Sequence, residues 1–142
     1  MSAKLLIDNS AWSRLWDPRL DAAITDKVAA AIAAGEIAGC LPFVLEAGYS
    51  ARSAADQAEL TENLMKLPFL SMDGSVERRA LEGQTQLARA GHHRLPPVDL
   101  LVAALADCHG LGVLHYDQDY DLIRDLTDLR FESRWLTPRG SL

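Results

Sequence analysis

The sequence predicts an α/β fold in which a short, mostly parallel central sheet is flanked by helices. Apolar runs of four or five residues alternate with longer helix-like segments, and no tight hairpin turn joins two such runs. This alternation is typical of parallel strands joined by helical crossovers and buried on both faces. With 142 residues, of which 49% are hydrophobic and 24% charged, the chain has the length of a single domain spanning 1–142.

Short apolar runs indicate the strands. The first run ends on Asp8, the second is bounded by Pro42, and the fourth continues to Asp117. The third run is weak, and the last is an edge strand among apolar residues near the end of the chain. Flanking turn residues and lengths of about 4 to 8 residues are typical of buried strands. In chain order, the predicted strands are 4–7, 37–41, 69–72, 112–116 and a segment within 131–136.

Capping residues, prolines and glycines indicate the helices. The Asp-Asn-Ser sequence at 8–10 is typical of a helix start, and Asp17-Pro18 predicts a second start whose alanine-rich helix continues to Ala34. The helix between Pro96-Pro97 and Gly110 is apolar on nearly all sides, which indicates a central, buried position. The other helices are predicted over 43–52, 55–66, 75–90 and 119–126.

Charge and cysteine content exclude several classes of protein. The 14 basic and 20 acidic residues give a net charge of −6, unlike proteins that hold nucleic acid by neutralising its backbone alone. If the chain handles nucleic acid, another group must supply positive charge.

Cys40 and Cys108 form no Cys-x-x-Cys pair, so neither a disulfide scaffold nor a cysteine zinc site is indicated. Without a signal-peptide core or an apolar run of about 18 residues, we expect a cytoplasmic protein with no membrane segment.

Four acids stand next to apolar segments. Asp8 and Asp117 follow two predicted strands, Asp99 lies in the first turn of the apolar helix, and Glu46 is surrounded by apolar residues within a helix. The carboxyl ends of parallel strands meet at one edge of a sheet, where ligands bind. We therefore expect these carboxylates to share one cleft. Oxygen ligands without His or Cys are suited to Mg²⁺ or Mn²⁺, and such ions would supply the missing positive charge.

Each acid also has a purely structural explanation. Asp8 and Asp117 could cap the helices that follow them, and the helix dipole favours an acid at the position of Asp99. Glu46 fits this alternative worst, because an acid in the middle of a helix caps nothing, although it could face solvent.

Four sequence blocks, taken together, resemble a known family. They are LIDNSAW at 6–12, LPFVLEAGYS at 41–50, PPVDLLVAALA at 96–106 and HYDQDYDLI at 115–123. Their order and spacing resemble those of PIN-domain ribonucleases, in particular the VapC toxins of bacterial toxin–antitoxin pairs. The resemblance covers nearly the whole chain. It implies a PIN-like three-layer fold and a metal-dependent endoribonuclease that hydrolyses RNA phosphodiester bonds.

The resemblance also implies a site. It implies catalytic roles for Asp8, Glu46, Asp99 and Asp117. It implies that Mg²⁺ or Mn²⁺ is held by Asp8, Asp99, Asp117 and Asp119. Ser10 matches a small hydroxyl residue that supports the site. The chain departs from the family pattern at Asn9, where Thr is frequent, at His115, where Thr or Ser is frequent, and at Tyr120, where Phe is usual.

Expectations about RNA and protein partners are weaker. Arg14 and Arg52 follow the first two acids closely, and Arg94 lies in a locally basic stretch, so these side chains could contact RNA phosphates or be ordinary solvated arginines. Trp12 and Trp16 could stack on bases, but a place in the core or in a partner interface is the stronger expectation. VapC-like proteins pair with a VapB-like antitoxin and usually form homodimers, so the resemblance implies both for this chain.

Three other protein classes fit parts of the pattern. A response-regulator receiver domain needs a lysine after its last strand, and no lysine follows Lys66. A haloacid-dehalogenase-like phosphatase needs a second Asp two residues after the first, where this chain has Ser10. A catalytically inert PIN-like module that only binds protein remains the alternative to an enzyme.

Overall fold

The computed structural model describes residues 2–142 and contains a parallel sheet of five strands. The order of the strands across the sheet is β3-β2-β1-β4-β5, and every neighbouring pair is parallel. This arrangement confirms the predicted α/β class. The strands are β1 Leu5–Ile7, β2 Ile37–Cys40, β3 Phe69–Leu70, β4 Gly112–His115 and β5 Ser133–Trp135.

Helices flank the sheet and connect its strands. They are α1 Asn9–Trp12, α2 Ala22–Ala33, α3 Leu41–Tyr49, α4 Ala54–Leu64, α5 Gly74–Arg89, α6 Pro97–His109 and α7 Asp119–Leu126. Among the helices of residues 2–142, none has both the length and the apolar character needed to cross a membrane.

Two predicted helices have wrong boundaries: α2 at its start and α3 at both ends. The helix predicted to start at Asp17-Pro18 begins at Ala22, because Asp21 caps it by accepting from the Ala23 amide while Asp17 accepts hydrogen bonds from Arg19 in a separate turn. The helix predicted over 43–52 is α3, which begins directly after β2 with Pro42 in its first turn and ends at Tyr49. Ser53 then caps α4 by accepting from the Asp56 amide.

Helix α6 forms the centre of the core, as its apolar sequence predicts. Its residues 102–106 are completely excluded from solvent, or nearly so. The helix packs against α5 on one side and against β4 and β1 on the other. Helix α6 is bounded at both ends. Pro97 lies in its first turn, and Gly110, with φ of 67°, ends it. This places the first turn of α6, with Asp99, at the edge of the sheet.

The pairing of β1 with β4 determines where the functional cleft lies. Ile7 is in register with Leu114, and the amide of Asp8 donates to the carbonyl oxygen of Leu114 over 2.9 Å. Both strands therefore end at the same edge. The residues that follow them, Asp8 and Asp117, come out of the sheet next to each other.

Gly112 provides a test of this packing. A Cβ atom at this position would lie 2.8 Å from Leu5 Cδ2 and 3.1 Å from the carbonyl oxygen of Glu132. We expect Gly112→Ala to lower the free energy of unfolding by about 1–3 kcal/mol, because β1, β4 and the segment before β5 must move apart. Urea unfolding followed by circular dichroism measures this change.

Gly48→Ala is the matched control. Gly48 lies in α3, and the nearest atom to an added Cβ is Gln57 Cγ at 3.9 Å. The alanine should therefore raise the free energy of unfolding by about 0.5–1 kcal/mol through helix propensity. A Gly112→Ala protein as stable as the parent would contradict the packing described here.

Candidate active site

Three carboxylates meet where β4 ends and helices α6 and α7 begin. Asp99, Asp117 and Asp119 each offer one oxygen, and these oxygens lie within 4.8 Å of one another. A single cation can therefore contact all three side chains. Oxygen donors of this kind are the ligands that Mg²⁺ and Mn²⁺ prefer.

Asp99 is the most buried of the three acids. Its side chain is buried, and its Oδ2 atom has no hydrogen-bond partner among the residues that the structure describes. Burial, together with the negative charges of Asp8 and Asp117, raises the pKa of this carboxyl to about 8. Without a nearby positive charge, Asp99 therefore retains a proton at neutral pH. A buried carboxylate oxygen without a donor fits a bound cation.

Asp8 lies beside this group with both of its oxygens hydrogen-bonded. Oδ2 accepts from the amide of Ser10 over 3.0 Å and from its hydroxyl over 2.6 Å. Oδ1 accepts from the hydroxyl of Tyr120 over 2.8 Å, and that hydroxyl is also 3.4 Å from Asp99 Oδ1. Asp8 thus caps α1 and also faces the acidic cleft, so the two explanations from sequence hold together. It is not one of the three acids whose oxygens lie within 4.8 Å of one another.

Ser10 ties the two central strands together at this edge. Its hydroxyl donates to Asp8 and accepts a hydrogen bond from the amide of Tyr116 over 2.9 Å. Since Tyr116 directly follows β4, this single hydroxyl links the ends of β1 and β4. The contact gives a physical basis for the supporting role that the resemblance implies for Ser10.

Asp117 and Asp119 are held by the turn into α7. The Asp119 amide donates to Asp117 Oδ1 over 2.9 Å, and the Asp117 amide donates to His115 Nδ1 over 3.1 Å. Burial and the charge of Asp117 raise the pKa of Asp119. The turn therefore orients the carboxyl group of Asp117 and fixes the backbone at Asp119.

Glu46 faces the same cleft from α3. It is half-buried, and burial together with the charges of Asp8 and Asp117 raises its pKa. Its carboxylate does not belong to the group formed by Asp99, Asp117 and Asp119. The charges of Asp8 and Asp117 thus act on Glu46 although Glu46 lies outside the group of three.

The structure adds two groups to the site that were not predicted as functional from sequence. One is the Tyr120 hydroxyl between Asp8 and Asp99. The other is buried His115, whose Nδ1 accepts from Asp117, so the proton is on Nε2 and points to Ser133 Oγ at 2.7 Å. Burial lowers the pKa of His115 to about 4, so the ring is neutral at pH 7. The signal in the sequence was that both positions depart from the family pattern.

The His115 contact continues to a fixed acid. Ser133 Oγ donates to Asp121 Oδ1 over 2.6 Å, and Trp135 Nε1 donates to Asp121 Oδ2 over 2.9 Å. These bonds connect β5 and α7 to His115, the residue that accepts the hydrogen bond from the Asp117 amide. The Asp117 turn is therefore braced from within the protein.

The predicted RNA-binding arginines occupy different environments. The Arg14 guanidinium lies 4.6 Å from the centre of the Tyr116 ring and donates to the carbonyl oxygen of Ser10, the residue whose hydroxyl contacts Asp8. The side chains of Arg52 and Arg94 are exposed. Within residues 2–142, neither of these two guanidinium groups contacts an acid of the cleft.

The two tryptophans are only partly core residues. Trp12 is half-buried and packs edge-on against Phe43, with ring centres 5.9 Å apart. Trp16 packs edge-on against Trp12 but is 68% exposed, so a place in the core is wrong for Trp16. The reason is that Trp16 lies in the turns between α1 and α2, outside the layer that covers the sheet.

Comparison with known proteins identifies the family. The PIN domain family model matches residues 5–126, which include every acid of the cleft. The chain belongs to the PIN domain family. Ribonuclease VapC51 of Mycobacterium tuberculosis is 36% identical over 142 residues, covering 100% of this chain and 99% of the relative. Ribonuclease VapC18 of the same species is 34% identical over 139 residues, covering 96% and 97%.

Solved structures support the same PIN fold. The DNA-bound VapBC of Salmonella typhimurium matches with a TM-score of 0.73 and 16% identity, covering 95% of this chain and 99% of that one. VapBC-5 of M. tuberculosis matches with a TM-score of 0.64 and 20% identity, covering 92% and 98%. At these identities the likeness concerns the fold. The predicted PIN-like architecture and the VapC resemblance are confirmed.

The burial of Asp99 leads to a prediction about the stability of this PIN domain. Between its unfolded pKa of 3.8 and its folded pKa of about 8, Asp99 binds more protons in the folded state, so stability falls as pH rises through this range. Asp99→Asn removes this effect and should raise the free energy of unfolding at pH 7 by about 1–3 kcal/mol without metal. Urea unfolding in chelator from pH 5 to pH 8 measures it.

Asp26→Asn is the control for this comparison, because Asp26 is exposed on α2 and is not among the charges that act on Asp99. It should follow the parent at every pH. If the difference between the parent and Asp99→Asn were independent of pH, the buried, raised-pKa state of Asp99 would be contradicted.

Proposed function

We propose that this VapC chain is a Mg²⁺- or Mn²⁺-dependent endoribonuclease that acts as the toxin of a VapBC toxin–antitoxin pair. The observation that carries the proposal is that Asp99, one of the group of three acids, has a buried Oδ2 with no hydrogen-bond partner within residues 2–142. The relatives that match over nearly the whole chain are named as VapC ribonucleases, which supports an RNA substrate.

The residues that would hold the ion are all carboxylates. We assign this role to Asp99, Asp117 and Asp119, with Asp8 as a further ligand from the other side of the cleft. When bound, a divalent ion lowers the pKa of a water molecule and offsets the charge that builds up on the scissile phosphate. The chain carries a net charge of −6, and the ion would supply positive charge at the point where the RNA backbone must approach.

Glu46 is the residue to which we assign the proton transfer. It faces Asp8 and Asp117 but lies outside the group of three, so its carboxylate is left to accept a proton at the same cleft. In this assignment Glu46 accepts the proton of the attacking water while the phosphodiester bond to the departing oxygen breaks. Asp117 is the alternative base.

RNA contacts outside the cleft are assigned to arginines. Arg14 is held against the Tyr116 ring and donates to the carbonyl oxygen of Ser10, whose hydroxyl contacts Asp8. Arg52 and Arg94 are exposed and free to meet phosphates farther along the strand. Each of these contacts would position the RNA without reading its sequence.

A VapB-like antitoxin is the protein partner that we propose. Several matching structures are VapBC complexes. This chain has an apolar groove of about 450 Å³ beside Glu46, lined by Leu41, Leu45, Met72, Val98 and Leu101. Exposed apolar side chains next to an acidic cleft suit a partner that covers the cleft. A homodimer and a cytoplasmic location, where RNA is found, belong to the same proposal.

RNA cleavage tests the enzyme directly. Purified protein freed of antitoxin should cut total cellular RNA with Mg²⁺ or Mn²⁺ and stop cutting when chelator is added. Asp99→Asn should lose at least about 100-fold in rate, since it removes an oxygen that binds the ion, and Asp26→Asn should keep the parent's rate. Cutting that resists chelator, or that survives Asp99→Asn, would refute the mechanism.

The alternative of an inert protein-binding module makes the opposite prediction for the same protein. Such a module would neither cut RNA nor gain thermal stability with Mg²⁺ or Mn²⁺, whereas a true ion site stabilises the fold by mass action.

The role of Glu46 has its own test. Glu46→Gln should lower kcat by about 10²–10⁴-fold, the usual contribution of general base catalysis. Its Mn²⁺ affinity, measured by calorimetry, should stay within a few fold of the parent's. An equal loss of affinity and of kcat would show that Glu46 acts as a ligand and not as the base.

A further inference from the structure

The hydroxyl of Tyr120 lies between two acids of the cleft. The Tyr120 side chain is fully buried, and its ring packs against His115 and Phe131, with ring centres 4.8 Å and 6.5 Å apart. The oxygen is 2.8 Å from Asp8 Oδ1 and 3.4 Å from Asp99 Oδ1. Packing on two sides fixes the ring, and this fixes the position of the hydroxyl oxygen between the two acids.

The hydroxyl can satisfy only one of the two acids as a donor. A phenol carries a single hydrogen, and the shorter contact shows that it is donated to Asp8. The phenol oxygen then lies beside Asp99 without donating to it. The other oxygen of Asp99, Oδ2, is buried and has no hydrogen-bond partner within residues 2–142.

Counting lone pairs shows what remains available on Asp8. Each carboxylate oxygen accepts about two hydrogen bonds. Oδ2 already accepts two, both from Ser10, and Oδ1 accepts one from Tyr120. Asp8 therefore has one position left for a cation, on Oδ1, which is the oxygen that Tyr120 touches.

We propose that Tyr120 is a positioning residue of the ion site: its hydroxyl fixes Asp8 Oδ1 relative to Asp99 and restricts Asp8 to a single bond with the cation. The proposal rests on the proposed metal-dependent function. It also gives a role to a departure from the family pattern, because Phe, the usual residue at this position, would supply the ring without the hydroxyl. This chain should therefore bind its ion more tightly than the same protein with Phe.

Calorimetric titration with MnCl₂ tests the proposal on the metal-free, antitoxin-free chain. Tyr120→Phe keeps the ring, and we expect its Kd for Mn²⁺ to rise about tenfold or more, the usual effect of removing a group that orients a ligand. Tyr49→Phe removes an exposed hydroxyl on α3 and should leave the Kd unchanged. A hydroxyl with a merely structural role would lower the melting temperature of Tyr120→Phe but not its Mn²⁺ affinity.

The outcomes separate this inference from the function on which it rests. If the parent binds Mn²⁺ and Tyr120→Phe binds it equally well, the positioning role is overturned and the proposed nuclease remains. If the parent does not bind Mn²⁺ at all, both are overturned. A tenfold loss confined to Tyr120→Phe supports both.

A measurement on the parent chain avoids any folding defect of the variant. The chain has 3 tyrosines, so labelling the ring carbon that bears the hydroxyl with ¹³C gives three NMR signals. Tyr49→Phe and Tyr116→Phe identify two of them, and the third is Tyr120. Saturation with Mg²⁺ should shift the Tyr120 signal, because its hydrogen-bond partner Asp8 becomes a ligand. A Tyr120 signal that stays in place at saturating Mg²⁺ would overturn the proposal.

Discussion

Repulsion between carboxylates confined at one edge of a parallel sheet is the constraint on which this structure depends. The parallel pairing of β1 with β4 and the buried first turn of α6 bring Asp8, Asp99 and Asp117 together. Like charges in a partly buried cleft destabilise the fold unless they are protonated, hydrogen-bonded or offset by a cation. The protein uses the first two means: Asp99 retains a proton, and Asp8 accepts three hydrogen bonds. The third is left to a ligand.

The same constraint connects stability with function. Helix α6 is almost wholly apolar and could pack without an acid, yet Asp99 is buried in its first turn, and one of its oxygens has no hydrogen-bond partner in the part of the chain that the structure describes. A group that weakens the metal-free fold but meets a cation when one binds is typical of a functional site. The supporting bonds follow the same logic. Ser10 joins β1 to β4, and His115 braces the Asp117 turn from inside the sheet. Carboxylates this close together repel a polyanion, and a cation bound between them would offset that repulsion.

Much of the fold could be predicted from the sequence because its strands are short, apolar and separated by helices. The strand ends also placed Asp8 and Asp117 at one edge, which requires only that the sheet be parallel. The predicted start of α2 at Asp17-Pro18 is wrong because Asp17 accepts hydrogen bonds from Arg19 in a turn of its own, and Asp21 is the residue that caps the helix. The hydrogen bond from Tyr120 to Asp8 also escaped prediction, since these residues, 112 positions apart, meet only once the chain is packed. The exposure of Trp16 excludes its expected place in the core, while a partner interface, the other expectation, stays a prediction. Which acids share one ion depends on the directions of their side chains, and the hydrophobic pattern of the sequence does not predict these directions.

The claim that these acids form one ion site is tested most directly by diffraction. Crystals soaked in MnCl₂ should give an anomalous peak for manganese within bonding distance of Asp99 Oδ2 and of a carboxylate oxygen of Asp117 or Asp119. A well-ordered cleft with no manganese peak, or a peak held only by acids elsewhere on the surface, would contradict the account.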